Sequence, residues 1–449
     1  MSLEEMSMDL RFVRTTCPYC GCGCEFLLET LNGKLLRTLP SKTNPMNEGK
    51  LCIKGWSAHE FVQSPNRLKR PMMRKDGVLV PISWDKAIEE AAKILRKADR
   101  PLLYGFSSTS TEAQTYGFQI AEELGAVLDQ TASVCHGPSV VAIQDTGYSG
   151  ATLGEIKSRA NVIVYWGSNP SAAHPRHMSR YSMFVRGFFR DKGAKDRTLI
   201  VVDPRNTDAA KLADYYIPVE QGKDYELVAA MRAALRGVDI PATVAGIPKE
   251  KILEVLEIMK KAYFGVLFFG MGLTQTFGRH RNIDIAINLV RELNSVSKWI
   301  ISPMRGHYNV TGAGTVWSWQ TGYPYAIDFA RGYPRYNPGE YAANDVLRNG
   351  EADAALIVAS DPGAHFPAVS VKHLAKIPLI AVDCHQTPTT ELANLVLPAS
   401  IVGIETEGTA YRMDHVPIHL RKVRDAPGEC LSDVEILKRI YNKVKELPA

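Results

Sequence analysis

No stretch of the 449-residue chain stays apolar for long. The most hydrophobic run, Phe264 to Met271, falls well short of the ~20 residues that span a bilayer. The opening MSLEEMSMDL is acidic and polar and lacks the basic stretch and apolar core of a secretory signal, so a cytoplasmic chain is expected. Charge of one sign is scarce as well: 53 basic against 48 acidic residues leave a net of +5, too little for the basic face of a dedicated nucleic-acid binder. A nucleotide-triphosphate loop and a His-x-His zinc pair are both missing. What remains, with 45% apolar and 22% charged residues, is a globular composition. The length corresponds to about three domains.

Cysteine is present but unevenly placed. Of eight, Cys17, Cys20, Cys22 and Cys24 crowd into TTCPYCGCGCEF and Cys52 follows, while Cys135, Cys384 and Cys430 stand alone. In a reducing compartment such crowding signals metal binding rather than disulfides. Over Cys17, Cys20, Cys24 and Cys52 the spacing is C-x2-C-x3-C-x27-C. Three thiolates can wrap three corners of a cubane while a fourth arrives from a distant turn, the ligand set of a [4Fe–4S] cluster. Cys22 in place of Cys24 stays open. So does a structural zinc knuckle, against which stands the lack of a second C-x2-C hook at Cys52. Lys54 is either a solvated lysine or a cationic bridge from the cluster to a second redox cofactor. Cys384 and Cys430 are expected to pack as small buried hydrophobes.

A strand–turn–helix unit occurs twice. NVIVYWGSNPSAAHP and RTLIVVDPRNTDAAKLADYYIPV answer to AALIVASDPGAHFP and IPLIAVDCHQTPTTELANLVLPA, and Asp203, Asp214 and Pro218 return 180 residues later as Asp383, Asn394 and Pro398. Near-continuous apolar strands alternating with helices predict parallel sheets covered on both faces. Ligands of such sheets bind beyond the carboxyl ends of the strands, where the Ser168-Asn169-Pro170 and Ser360-Asp361-Pro362 turns lie. Asp203 is placed for a ribose or a base edge and Arg205 for phosphate; simple helix capping is the alternative for both aspartates. GMGLTQTFGRH adds Gly270, Gly272 and Gly278 with Thr274 and Gln275. QGKDYEL predicts Asp224 as a helix N-cap. The basic run Arg67 to Lys75 meets phosphates, a partner, or only water.

In TASVCHGPS, Cys135 and His136 precede a Gly-Pro turn. A soft thiolate there can bind a metal directly, and His136 can carry protons near neutral pH, with core packing as the alternative for the thiol. Arg305, in SPMRGHYNVTGAG, can anchor a carboxylate-shaped substrate through paired hydrogen bonds or make a structural salt bridge. Together these features imply electrons delivered through an iron–sulfur site to a metal held by a nucleotide-bearing cofactor.

The motifs CPYCGCGC with CIKG, RLKRPMMRKDGVLVPISWDKAI, WGSNP, VDPR, GKD, GMGLTQ and LPASIVGIETEGT follow one another in an order that resembles the molybdopterin oxidoreductase superfamily, which includes formate dehydrogenases and periplasmic nitrate reductases. The likeness runs from about Arg11 to about Arg424. SVCHGPS, GATLGEIKSRAN, HPRHMSRY and MRGHYNVTGAG are similar to the B subunits of formylmethanofuran dehydrogenases. The resemblance implies an α/β protein. Residues 1–66 would form a small iron–sulfur domain, 67–134 with 337–424 one doubly wound parallel-sheet domain, 135–336 a related one, and 425–449 a C-terminal helix.

Its implied cofactors are two molybdopterin guanine dinucleotides, tungsten or molybdenum with inorganic sulfide, and one [4Fe–4S] cluster. Cys135 would ligate the tungsten or molybdenum. Cys17, Cys20, Cys24 and Cys52 would hold the cluster, with Lys54 between cluster and nearer pterin. Gly167, Asn169, Asp203, Arg205, Gly222 and Asp224 would contact one dinucleotide; Gly272, Thr274, Gln275, Asp361 and His365 would line the other. The implied activity is reversible reduction of carbon dioxide to formate, with His136 managing the proton and Arg305 stabilising charge on the oxygens.

Larger members continue past the EGT segment into a pterin-covering β-barrel, whereas this sequence stops about 40 residues later. A companion subunit carrying the barrel is therefore expected, along with an amidohydrolase-type subunit that formylates methanofuran and ferredoxin-like polyferredoxin subunits. Two rivals share the fold: a soluble formate dehydrogenase subunit not linked to methanofuran, and a non-catalytic electron-transfer scaffold. Co-purifying subunits and metal content separate them.

Overall fold

The computed structural model describes residues 9–45 and 47–448. The chain divides into two compact units, Met1–Ser133 with His307–Arg412 and Pro417–Ala449, and Val134–Gly306 with Met413–Val416. No helix among the described residues is long and apolar enough to cross a membrane.

The first unit opens with an antiparallel sheet of β1 (Leu10–Thr16), β2 (Glu25–Leu31) and β3 (Lys34–Pro40). Thr16 pairs with Glu25, so the CPYCGCGC segment is the loop of a β-hairpin. The Cys17 N–H closes its base on the Cys24 carbonyl at 2.7 Å, and Gly23 makes the turn at φ +58°, where a side chain would be strained. Then come β4 (Met72–Lys75), β5 (Val78–Pro81), β6 (Pro101–Gly105) and β7 (Val127–Gln130). The helix Thr111–Leu124 between β6 and β7 is capped by the Ser110 hydroxyl and stopped by Gly125 at φ 64°.

The second unit contains β8 (Val162–Trp166), β9 (Thr198–Val202), β10 (Tyr215–Ile217), a hairpin of β11 (Thr243–Val244) and β12 (Ile247–Pro248), then β13 (Gly265–Phe269) and β14 (Trp299–Pro303). Its sheet runs β10-β9-β8-β13-β14 with every pairing parallel. All residues of β8, β13 and β14 are buried, as strands covered on both faces must be. Leu227, Met231, Leu256, Met259, Ile283 and Leu289 from three helices complete the core.

Back in the first unit the chain forms β15 (Ile327–Asp328), β16 (Arg335–Tyr336), β17 (Ala354–Val358), β18 (Leu379–Asp383), β19 (Leu395–Pro398) and a hairpin of β20 (Gly408–Tyr411) and β21 (Pro417–Leu420). The sheet order is β16-β15-β7-β6-β17-β18-β19-β4-β5. Its middle five strands are parallel and its flanks antiparallel. The helix Val310–Thr321 sits in this unit, because Val316 and Trp317 enter its core and the Trp317 indole donates to the Gln114 carbonyl. The second unit therefore ends at Gly306, short of residue 336, where the motif pattern placed its boundary. The C-terminal helix Asp433–Glu446 also buries Ile436, Leu437, Ile440 and Val444 in the first unit's core, and is no appendage.

The 180-residue offset proves to be a repeat of hydrogen bonds. Asp214 accepts from the Leu199 N–H at 2.7 Å, and Asn394 accepts from the Leu379 N–H at 2.8 Å. Ile200 pairs with Tyr215, and Ile380 with Leu395. Thr207 and Thr387 each cap a short helix. The middle strands β7-β6-β17-β18-β19 of the first unit match β14-β13-β8-β9-β10 of the second. The chain threads them differently: β13 and β14 come last in one unit, while β6 and β7 come first in the other. The two units are circular permutants of one sheet.

Candidate active site and cofactor turns

In the first unit, burial pushes the Cys17 thiol well above its ordinary value, and the neighbouring thiols of Cys24, Cys20 and Cys52 raise it further. Four of the five early cysteines thus face one another. Cys52 precedes the one-turn helix Ile53–Trp56, which carries the half-buried Lys54. Tyr19, in the same loop, faces Cys17, Cys384 and Cys52 and stacks edge-on against Phe61.

Beyond the carboxyl ends of β17 and β18 lies a cleft of about 330 Å³ bounded by Tyr19, Phe61, His307, Asp361, Asp383 and Cys384. Asp361 accepts from the Thr389 N–H (3.0 Å) and hydroxyl (2.6 Å), and the His365 Nδ1 donates to the Asp361 carbonyl at 2.8 Å. Burial raises the Asp383 carboxyl to about 6.

Cys384, expected to pack as a hydrophobe, instead lines this cleft in a hydrogen-bonded pair. The His385 Nε2 donates to the Phe61 carbonyl (3.0 Å), so its Nδ1 accepts from the Cys384 thiol at 3.1 Å. Cys430, half-buried, likewise donates its thiol to the Leu68 carbonyl at 3.2 Å. Arg67, first of the basic run, is buried rather than part of a solvated face. Its guanidinium donates to the carbonyls of Cys384 and Ala399 and pairs with the buried Glu405.

In the second unit, Gly167 and Gly272 bring the turns after β8 and β13 backbone to backbone. A Cβ on Gly167 would lie 2.8 Å from the Gly272 Cα, and the Gly272 N–H donates to the Gly167 carbonyl at 2.9 Å. Gly272 and Gly167 both belong to the second unit, Asp361 and His365 to the first. Beside them the Asn169 Oδ1 is buried with no hydrogen-bond partner. Asp203 accepts from the Arg205 N–H at 2.9 Å and leaves that residue's guanidinium 77% exposed. Gly222 turns at φ +82° ahead of the helix Asp224–Leu235. Asp224 is the first helical residue, not the cap, and its carboxylate accepts from the Trp166 indole at 2.8 Å.

Cys135 follows the short turn Thr131–Val134. Its carbonyl accepts from both the Thr274 hydroxyl and the Gln275 amide, each at 2.8 Å. These two donors hold the Cys135 backbone. Burial pushes the Cys135 thiol up to about 11 against the pull of Arg305, so the thiol ionises only with help from a cation. The Met304 carbonyl can only accept, so the His136 Nε2 donates to it at 3.1 Å and Nδ1 accepts from the Ser139 hydroxyl at 3.0 Å. Burial, reinforced by Arg305, holds this imidazole at about 3. Both ring nitrogens of His136 are thus engaged within the protein, and the imidazole stands as a neutral strut beside Cys135.

Arg305 is buried and lies within electrostatic reach of Cys135. Its carbonyl accepts from the His174 Nε2 at 2.8 Å, and its Nη1 donates to the His415 Nε2 at 2.9 Å. The motif reading marked neither histidine as functional. His174 stood in view within WGSNPSAAHP, but His415 sits at a hairpin tip, MDHVP, that no spacing rule singles out.

The molybdopterin oxidoreductase family model matches residues 67–443, and the molybdopterin oxidoreductase Fe4S4 domain model matches residues 10–64. The chain belongs to the molybdopterin oxidoreductase family. It is 54% identical over 434 residues to the B subunit of the tungsten-containing formylmethanofuran dehydrogenase 2 of Methanocaldococcus jannaschii, covering 96% of this chain and 98% of that one. Its identity to the alpha subunit of the F420-dependent formate dehydrogenase 1 of Methanococcus maripaludis is 30%, over 97% of this chain and 71% of that one. Among solved structures, acetylene hydratase from Pelobacter acetylenicus superposes with a TM-score of 0.74 at 16% identity, covering 96% of this chain and 69% of that one. A chain of the formyltransferase/hydrolase complex from Methylorubrum extorquens, solved with methylofuran, gives 0.68 at 20%, over 84% and 99%.

The residues present fit the groups of this family. Cys20, Cys24 and Cys52 face Cys17, whose buried thiol is held well above its ordinary value, and such a crowd becomes a set of stable thiolates only around a strongly cationic centre. Among the described residues no three His, Cys, Asp or Glu side chains close on one ion, as thiols each bound to a separate iron would not. For the pterin, the orphaned Asn169 Oδ1 and the bare backbone at Gly167 and Gly272 form a polar cradle in the second unit, and the aromatic and carboxylate lining of the cleft forms another in the first.

Proposed function

We propose that the chain is the redox subunit of a formylmethanofuran dehydrogenase, interconverting carbon dioxide and formate. The full-length identity of 54% to a B subunit of that enzyme carries the reading. When bound, a tungsten or molybdenum centre on two pterin dinucleotides, with inorganic sulfide, supplies two-electron exchange with the one-carbon substrate, and a [4Fe–4S] cluster supplies electron entry.

The residues of the chain do the rest. Cys135 would hold the metal, its backbone steadied by Thr274 and Gln275. Cys17, Cys20, Cys24 and Cys52 would hold the cluster, with Lys54 beside it. Gly167, Asn169, Asp203, Arg205, Gly222 and Gly272 would receive one dinucleotide, and the cleft with Asp361 and His365 the other. Arg305 binds the carboxylate of formate and keeps its fork in place as charge shifts between the oxygens, an effect of ~3 kcal/mol for a preorganised donor. Its burial excludes the water that would screen that charge.

The product formate would pass to an amidohydrolase-type subunit. A β-barrel companion would cover the pterins, and polyferredoxin subunits would feed the cluster. The crowded thiols suit the reducing cytoplasm.

The decisive experiment is Cys135→Ala in the anaerobically purified complex. Formate oxidation is lost while iron content and the cluster's paramagnetic signal stay intact; full activity in the variant overturns the proposal.

A further inference from the structure

We infer that His415 is a positioning residue: by accepting a hydrogen bond from one arm of Arg305, it fixes the plane in which the remaining guanidinium donors meet the substrate carboxylate. The inference rests on the proposed carbon dioxide–formate activity and adds the element that aims its anion-binding group.

The argument begins with donor chemistry. A guanidinium has only donors, so the 2.9 Å pair between the Arg305 Nη1 and the His415 Nε2 forms only if Nε2 offers its lone pair. The imidazole must then be neutral, with its proton on Nδ1. Because the guanidinium is a rigid planar fork, holding one Nη removes rotation about the last bond of the side chain and sets the direction of every other N–H. The other end of Arg305 is fixed as well, since its carbonyl accepts from His174 at 2.8 Å.

His415 is itself held. Residues 413–416 count with the second unit although the flanking strands β20 and β21 count with the first. The neighbouring Asp414 accepts from the Leu153 N–H at 2.6 Å, and Leu153 begins the helix Leu153–Arg159 in the same unit. The backbone of His415 lies at φ +63°, a conformation glycine or asparagine adopts at lower cost. Two charged groups face it, Arg305 and Asp414; burial and Arg305 together hold its pKa at about 4 against the opposing pull of Asp414. It therefore remains a neutral acceptor throughout the neutral range.

The test compares H415A and H415Q with the unaltered complex, purified anaerobically and assayed for tungsten or molybdenum and for iron. Steady-state formate oxidation and the protection of the complex by formate against thermal unfolding are both followed as functions of formate concentration. H415A raises the KM for formate and the half-point of protection by ~tenfold, about the loss of one charge-assisted bond, while kcat falls less and metal content is unchanged. H415Q, whose amide oxygen can accept the same bond, recovers most of the loss. Wild-type formate dependence in H415A overturns the inference. So does an equal loss in H415A and H415Q accompanied by loss of metal, which would mark a merely structural residue. C135A, run in parallel, separates this failure from failure of the assigned activity: if C135A is dead and H415A is normal, the activity stands and only the positioning role falls.

Discussion

The two sheets share five strands, their order and their register, yet their turns are finished differently. After β9, Asp203 is followed by Pro204 and an Arg205 whose guanidinium stands 77% exposed. After β18, Asp383 is followed by Cys384 and His385, which bond to one another, and the Cys384 carbonyl is taken by an Arg67 side chain only 1% exposed. The turn after β8 leaves the Asn169 Oδ1 without a partner, while its counterpart Asp361 is satisfied by Thr389. Ala209, 180 residues before Thr389, has no hydroxyl to offer. After β8 and β9 an amide oxygen lacks a partner and a guanidinium stands exposed, while after β17 and β18 the corresponding groups are bonded within the unit. A duplicated sheet can therefore keep its backbone bonds while a few side-chain changes alter how its turns satisfy their polar groups.

The sharpest way to break this contrast is at its two arginines. R67A leaves Glu405 buried at 0% side-chain exposure with its cation gone. A loss of about 3–5 kcal/mol of stability is expected, the cost of stranding a buried charge, and R67M/E405L should lose less than R67A alone. R205A removes an exposed group and should leave unfolding unchanged. Chemical unfolding followed by circular dichroism checks both. Equal effects in the two units would show that the turns do not differ energetically in the way their burial says.

A smaller effect tests the part that the units share. Asp214 and Asn394 make the same bond, to the N–H groups of Leu199 and Leu379. D214A should cost about 2 kcal/mol and N394A about 1, because a charged acceptor makes the stronger bond. The same unfolding measurement decides. A reversal of that order would mean that tertiary surroundings outweigh the repeated bond.

Much of this duplication is legible in the sequence because it rests on local patterns: apolar strands, a Val-Asp strand end, and polar residues at a fixed offset. The family cysteines and the turns are legible for the same reason. The permutation is not, since β6 and β7 carry no residues that mark them as partners of β13 and β14; only the pairing of Tyr104 with Ile357 and of Phe268 with Tyr165 reveals it. The internal bonds of the site side chains depend on contacts between distant segments. Thr274 and Gln275 meet a carbonyl about 140 residues away, His136 meets one 168 residues away, and Asp224 finds an indole 58 residues away. Motif spacing places such residues near a site but not the direction in which each one points.

The smallest expected effect concerns a residue that only one sheet has. At the end of β7 stands Asp129, where β14 of the other sheet has Ser302. Asp129 accepts from the N–H groups of Ala326 (3.1 Å) and Ala343 (2.7 Å), tying the first unit's added segment to its sheet. Burial raises its carboxyl to about 7. In the unfolded chain the same group titrates near 4. Between those values the folded state holds a proton that the unfolded state has released, so this residue's contribution to stability falls as pH rises from about 4 to about 7 and is level above. The slope cannot exceed about 1.4 kcal/mol per pH unit. Between pH 5 and pH 7 the native chain should therefore lose more thermal stability than D129N, which cannot ionise, even though D129N is less stable at both because an amide nitrogen would face a backbone N–H. Parallel declines in the two proteins would mean that the first unit's extra carboxylate stays charged when folded, and that its two backbone bonds outweigh its burial.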